Sequence, residues 1–248
     1  MRFIVYSDIH SNLEALQEFF KIIGNQLSNK EKNRIKMLCL GDIIGYGASP
    51  SESLSLVLEN SDIILKGNHE RMMLDVSLRS FANNSARRAI EWTEKQLSSK
   101  EKEKIESFPE KAEIENRILV VHGSPKDPDE YIIRSNQALE SIIYLKRKGF
   151  RLCFHGHTHL PGIFDENGRY FYNSDTIFNL STDQCYLINP GSIGQPRDGD
   201  SRGSFCIFDE ETSSLIFHRF NYDIKKSAEK IKKSGLPPEL GDRLYVGR

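Results

Sequence analysis

Eight side chains that can bind metals or move protons follow apolar runs along the chain. Asp8 and His10 come after Phe3 to Tyr6, Asp42 after Met37 to Leu40, and Asn68 and His69 after Ile63 to Leu65. His122 comes after Ile118 to Val121, and His157 and His159 after Leu152 to Phe154. Imidazole, carboxylate and amide oxygen without thiolate suit manganese, iron, zinc or cobalt, and a carboxylate such as Asp42 can bridge two ions. Two divalent ions bring four positive charges against two carboxylates and a bound hydroxide, which leaves such a centre about one unit positive and attractive to phosphate. Ions held about 3.5–4 Å apart make a nucleophilic hydroxide available near neutral pH and stabilise charge developing on phosphoryl oxygens, so the chemistry expected is hydrolysis at phosphorus. His69, next to Asn68 in Gly67-Asn68-His69-Glu70, is the candidate general acid, a role typically worth ~10²–10⁴-fold.

The elements that must position these groups are readable from periodicity. The five apolar, β-branched runs predict buried strands, and in open α/β sheets ligands bind beyond the carboxyl ends of strands. Leu13, Leu16, Phe19, Phe20, Ile23 and Leu27 make the apolar stripe of an amphipathic helix and so complete a β-α-β unit. A second helix is expected from near Pro50, with Ser49 or Ser51 as cap, and another from Ser135 to Lys148, ended by Gly149. Residues 71–106 are mostly helical in pattern, with Ala86, Ile90 and Leu97 on one face. Within Asp8-Ile9-His10 and His157-Thr158-His159, residues two apart point the same way if the chain is extended, and the neighbouring glycines 41, 67, 123 and 156 permit close backbone approach. Beyond Phe164 the texture changes to short segments between turn residues, as in Asp165-Glu166-Asn167-Gly168 and Asp209-Glu210-Glu211, which predicts hairpins. The expected fold is α/β, a two-sheet β-sandwich flanked by helices (αββα), as one domain over 1–248 with a mostly helical insertion at about 71–106.

Composition narrows the partners. Lys and Arg total 34 against 35 Asp and Glu, a formal charge of -1, so no overall field draws the chain to nucleic acid or to membranes. The N-terminal apolar run is broken too early for a signal peptide, and a cytoplasmic protein is expected. Cys39, Cys153, Cys185 and Cys206 are scattered and read as small core residues. His155 is expected to end a strand, His218 to sit within one, Trp92 to pack among the helices, and Asp198 to Gly203 to form a turn. Arg197 and Arg202 flank that turn and could grip a phosphate, since guanidinium matches its geometry. Lys225, Lys226, Lys230, Lys232 and Lys233 fall at helical spacing and read as a solvated face. Oligomeric state is left open.

Taken together, Asp8-Ile9-His10, Gly41-Asp42, Gly67-Asn68-His69-Glu70, Val121-His122-Gly123 and Gly156-His157-Thr158-His159 resemble, in order and spacing, the calcineurin-like metallophosphoesterases. The resemblance runs from Met1 to about Ser204, and Asn189 to Arg197 (NPGSIGQPR) looks like the bacterial and archaeal phosphodiesterase branch, which includes diadenosine tetraphosphatase-like members. It implies that one metal takes Asp8, His10 and His159, that the other takes Asn68, His122 and His157, that Asp42 bridges both, and that His69 donates the proton. The cofactors implied are two divalent ions, manganese foremost, with iron, zinc, cobalt or nickel as alternatives. Asn12 stands where this branch often has the same residue, as a phosphate contact or as a helix cap. Phosphoprotein phosphatases of the superfamily follow Gly-Asp with an Asp-Arg-Gly element, which Gly41-Asp42-Ile43-Ile44-Gly45-Tyr46-Gly47 lacks. The expected substrate is therefore a small phosphodiester or nucleotide polyphosphate, by analogy with relatives that hydrolyse diadenosine tetraphosphate. A phosphoprotein or small-molecule phosphomonoesterase, a nuclease, and a non-catalytic scaffold that has lost its ligands are the alternatives. Every expected ligand is present here.

Overall fold

The computed structural model describes residues 1–26, 34–115 and 117–248. The chain opens with β1 (Arg2–Tyr6), α1 (Leu13–Gln26), β2 (Ile35–Cys39), α2 (Pro50–Asn60) and β3 (Ile63–Ile64), two successive parallel crossovers. Asn12 caps α1, its Oδ1 accepting from the Ala15 N–H at 3.3 Å. Of the expected stripe on this helix, Leu16, Phe19 and Ile23 are buried, whereas Leu27 lies outside the described residues. The helical stretch expected at 71–106 comprises α3 (Asn68–Leu74), a 3₁₀ turn at Val76–Phe81, α4 (Asn84–Gln96) and α5 (Ser99–Glu106). Ser98 and Glu101 close a capping box at the start of α5.

The remainder is richer in strands. It runs β4 (Lys111–Ile114), β5 (Ile118–Val121), α6 (Ser135–Lys148), β6 (Leu152–Phe154), β7 (Gly162–Phe164), β8 (Tyr170–Phe171), β9 (Ile177–Asn179), β10 (Tyr186–Asn189), β11 (Gly203–Asp209) and β12 (Ser214–Phe220). It ends with α7 (Ile224–Lys233), α8 (Glu239–Asp242) and a 3₁₀ turn at Arg243–Val246. Gly149 ends α6 at φ +82°, a left-handed conformation that glycine adopts without steric cost. The expected hairpins are present as β7–β8 and β11–β12.

Two six-stranded sheets result, ordered β3-β2-β1-β11-β12-β9 and β4-β5-β6-β10-β7-β8. Strand alternation builds three apolar layers. Phe3, Val5, Leu38, Leu40, Val120, Phe154, Ile188 and Phe208 point between the sheets. Ile4, Tyr6, Met37 and Cys39 face the other way, onto Leu16, Phe19, Leu54 and Val57 of α1 and α2. On the far side, Leu119, Val121, Cys153 and Leu187 meet Ala138, Ile142 and Leu145 of α6. The order is helix, sheet, sheet, helix, and strands covered on both faces read as continuous apolar runs for that reason. All four cysteines are buried and free. Among the described residues, no helix is long and apolar enough to cross a membrane.

β1, β2 and β3 run parallel in one sheet, and β5, β6 and β10 run parallel in the other. The loops after these strands meet at one edge: the Asp8 N–H donates to the Gly41 carbonyl, Gly156 to that of His122, and Ile193 to that of Ser7.

Candidate metal centre

At that edge, ligand atoms of Asp8, His10, Asp42 and His159 lie within 4.8 Å of one another, and so do those of Asp42, His122 and His157. Asp42 belongs to both groups. Its Oδ2 is 3.6 Å from His10 Nε2 and 3.4 Å from His122 Nε2. Asn68, on the first turn of α3, brings its Oδ1 to 3.0 Å from His122 Nε2 and joins the second group.

Hydrogen bonds behind the rings fix which nitrogen faces inward. Nδ1 of His10, His122 and His159 lies 3.2, 3.0 and 2.5 Å from the carbonyl oxygens of Ile44, Leu40 and Gln195 respectively. A carbonyl only accepts, so each Nδ1 carries the hydrogen; Nε2 of His10 and His159 presents a lone pair to the centre, and Nε2 of His122 does so once an ion displaces its proton. His157 is turned round: its Nε2 donates to the Asp129 carbonyl at 3.1 Å, which leaves Nδ1 for an ion.

The fit to cations follows from this arrangement. His10 and His159 aim their Nε2 atoms at each other across 3.2 Å, and both stand near Asp8 Oδ1. Lone pairs and carboxylate oxygens converging in a buried site repel until positive charge lies among them. Burial holds the pKa of His10 and His159 well below the ordinary imidazole value, so protons do not supply that charge there. Burial pushes the Asp8 carboxyl up to about 7. At His122 burial lowers the pKa, but the Asp42 carboxylate overrides it and raises the ring to about 9; burial likewise works against the Asp42 charge, and the His122 cation outweighs it and holds Asp42 well below the carboxylate range.

The paired ligands converge by a route the spacing does not suggest. Asp8, His10, Asp42, His157 and His159 have φ between +50° and +67°, so neither Asp8-Ile9-His10 nor His157-Thr158-His159 is extended. Left-handed backbone costs about 1–2 kcal/mol per non-glycine residue, and here interlocking loops hold it. His10 N–H donates to Asp42 O, Ser11 N–H to Ile43 O, and His157 N–H to Asp8 Oδ2 at 3.2 Å. Residues 189–197 bind the two ligand loops together: Asn189 Nδ2 donates to Gly156 O and Thr158 Oγ1, Ser192 Oγ to Asp8 O, and Gly194 N–H also to Asp8 O.

His69 sits beside the second group without joining it. Its N–H donates to Asp42 Oδ1 at 2.9 Å, and its ring packs 4.3 Å from Tyr46 and 4.6 Å from His10. Burial, aided by the Arg197 guanidinium, lowers its pKa to about 4. It borders a cleft of about 400 Å³ lined also by Asn68, Met72, Leu78, Phe81, Tyr131 and His157. The helical stretch and the 124–131 loop thus frame the approach to the centre.

The remaining candidates separate. Arg197 stands 6.0 Å from the Tyr46 ring and donates to Gln195 Oε1, with its charge felt at His10 and His69. Arg202 is not brought to the centre, because Asp200, two residues away, takes its guanidinium at 2.6 and 3.1 Å. Asn12 donates to Gly194 O and accepts from Ser227 Oγ besides capping α1. His155 follows β6 and is buried against Asn189, His218 stacks on Phe205 within β12, and Trp92 packs beside Ala86 and Ala89 of α4. Four of the lysines of α7, Lys226, Lys230, Lys232 and Lys233, pair with Glu14, Asp242 and Glu229. Glu70 is the residue that sequence reasoning missed: fully buried, it accepts from the N–H groups of Asp42, Ile43, Ile44 and Gly67. Its signal was the Glu three residues after a helix cap.

Gly67 is irreplaceable on geometric grounds, since a methyl there would run into Asp42 Oδ1 and N. Gly67→Ala is expected to weaken manganese binding about 10–100-fold while leaving the far-ultraviolet dichroism of the parent. Titration calorimetry with parental affinity would show that Asp42 does not need this close approach.

Residues 1–213 match the family model described as the calcineurin-like phosphoesterase superfamily domain. An uncharacterized protein of Methanocaldococcus jannaschii is 38% identical over 250 residues, covering 98% of this chain and 97% of its own. The crystal structure of a metallophosphoesterase from Sphaerobacter thermophilus is 33% identical and superposes with a TM-score of 0.85 over 100% of both chains. A hypothetical protein from Pyrococcus horikoshii OT3, 21% identical, shares the fold with a TM-score of 0.80 over 100% of this chain and 98% of its own.

Proposed function

Since the chain belongs to the calcineurin-like phosphoesterase superfamily, we propose that it is a dinuclear metal-dependent hydrolase of phosphodiesters or nucleotide polyphosphates. The observation that carries this reading is the pair of buried ligand groups sharing Asp42 beside a cleft of about 400 Å³. Asp8, His10 and His159 would hold one ion, and Asn68, His122 and His157 the other, with manganese the metal to try first. When bound, the ions supply Lewis acidity to the phosphoryl oxygens and activate water for attack.

The chain's own groups do the rest. The carbonyls of Ile44, Leu40, Gln195 and Asp129 each fix the orientation of one imidazole, so the opposite ring nitrogens are aimed at the centre before substrate arrives. His69 borders the cleft and is placed to protonate the departing oxygen. Its ring is neutral in the free site, and the negative charge of an arriving phosphate raises its proton affinity at the moment it is needed. Met72, Leu78, Phe81 and Tyr131 offer an apolar wall of a size that suits a nucleotide-sized group.

The test is a panel of mono-, di- and polyphosphate substrates assayed with manganese. Turnover of an aryl phosphodiester or a dinucleoside polyphosphate is expected, abolished by chelator and restored by the metal. Protein that binds manganese yet hydrolyses no phosphoester would sink the reading and favour a scaffold.

A further inference from the structure

Beyond the metal ligands, a second polar group faces the centre from the end of the chain. Arg243 lies on the C-terminal 3₁₀ turn, past the last of the recognised motifs and outside the 1–213 family match. Leu240 and Leu244, on either side of it, are buried with Ile231 of α7, Ala86 and Ala89 of α4, and Tyr46. This packing sets the Arg243 guanidinium carbon 4.3 Å from the centre of the Tyr46 ring. Tyr46 in turn stands 4.6 Å from the His10 ring and 4.3 Å from that of His69, and Arg197 approaches the same tyrosine at 6.0 Å. Two guanidiniums therefore share one aromatic ring at the rim of the metal centre.

Neither guanidinium is in an ion pair among the described residues. Arg243 stacks on Tyr46, and its Nε and Nη2 are buried and have no hydrogen-bond partner among the described residues. Arg197 donates to the neutral Gln195 Oε1 at 3.2 Å. Glu239 acts on Arg243 through space without an ion pair and accepts from Ser85 Oγ at 2.5 Å, while Asp8 and Asp42 belong to the ligand groups. Arg202 and Arg219, by contrast, are paired, with Asp200 and Asp198. Two partly buried cations side by side with N–H groups unused are costly unless an anion joins them.

We propose that Arg243 and Arg197 form a phosphate subsite beside the metal centre, and that the substrate is a nucleoside polyphosphate whose second phosphate this pair grips. The inference rests on the phosphoesterase reading above. It adds that selectivity is set by a residue from the C-terminal turn. Tyr131, 39% exposed and stacked 3.9 Å from the His157 ring, and Phe81, 88% exposed, line the cleft that Tyr46 also borders and offer surfaces for the base.

The test compares the manganese-loaded full chain with Arg243→Gln and Arg197→Gln on two substrates, diadenosine tetraphosphate and bis(4-nitrophenyl) phosphate, which has a single phosphate. Only the polyphosphate carries a second phosphate for the guanidiniums to grip by charge-assisted, bidentate hydrogen bonds. Each substitution is therefore expected to lower kcat/KM about 10–100-fold further on that substrate than on the aryl ester, mostly through KM. Arg243→Lys, which keeps the charge and removes the fork, should fall between. Equal losses on both substrates, or none on either, would overturn the subsite. Calorimetry gives a reading that needs no turnover: each Gln variant should bind pyrophosphate at least about tenfold more weakly, with a smaller change for inorganic phosphate. If the parent hydrolyses neither substrate the phosphoesterase reading falls, and the pyrophosphate comparison still decides the subsite.

Discussion

Asp42→Asn is expected to lower phosphodiester turnover by about 10³-fold or more, with the fold intact. Asp42 is the residue common to both ligand groups, and its Oδ2 lies within 3.6 Å of imidazole nitrogens from each. Asparagine has the same shape, and its amide oxygen can still accept from the His69 N–H, a bond of 2.9 Å in the parent. What disappears is the negative charge that the two proposed ions would share. If that charge contributes about 4 kcal/mol to holding and spacing them, the rate falls by the stated factor. Turnover of an aryl phosphodiester, with bound manganese counted on the same sample, measures both consequences. A folded variant with parental turnover would show that no shared carboxylate is needed.

How far the sequence alone leads depends on whether the signal is local. Met37 to Leu40 and Leu152 to Phe154 are legible as strands because both faces of each are covered, and the side chains that follow them are legible as one convergent cluster because parallel strands end at one edge. Gly149 ends α6 where a left-handed residue is required. The conformation of the ligand loops was not legible. Spacing of two suggests extended chain, yet Asp8, His10, His157 and His159 are all left-handed, since the bonds that force them there come from Gly41, Asp42, Asp8 and residues 189–197. Arg202 shows the reverse case, where a nearby acid removes a plausible phosphate ligand. Arg243 was hidden because its relation to the centre runs through Tyr46, about two hundred residues earlier in the chain.

Glu70→Gln carries the second large effect, and it falls on stability as well as on metal binding. The Glu70 carboxylate accepts four backbone N–H groups at 2.8 to 3.0 Å: Oε1 takes Ile43 and Ile44, while Oε2 takes Asp42 and Gly67. These donors belong to the loop that presents Asp42 and to the cap of the helix that presents Asn68 and His69, so one buried side chain sets the distance between ligands of the two loops. A carboxylate is all acceptor, whereas glutamine replaces one oxygen with a donor. Two of the four N–H groups would then face an N–H in a fully buried site. At about 1–3 kcal/mol for each unpaired buried group, the variant should lose about 2–6 kcal/mol. In a chain of this size that corresponds to a fall in Tm of roughly 5–20 °C, and manganese affinity should drop about 10–100-fold as Asp42 and Asn68 drift apart. Calorimetric melting of the metal-free protein separates the first effect from the second. A variant melting within about 1 °C of the parent would mean that the four bonds do not hold the loops, and the account of how this centre is preorganised would have to be abandoned.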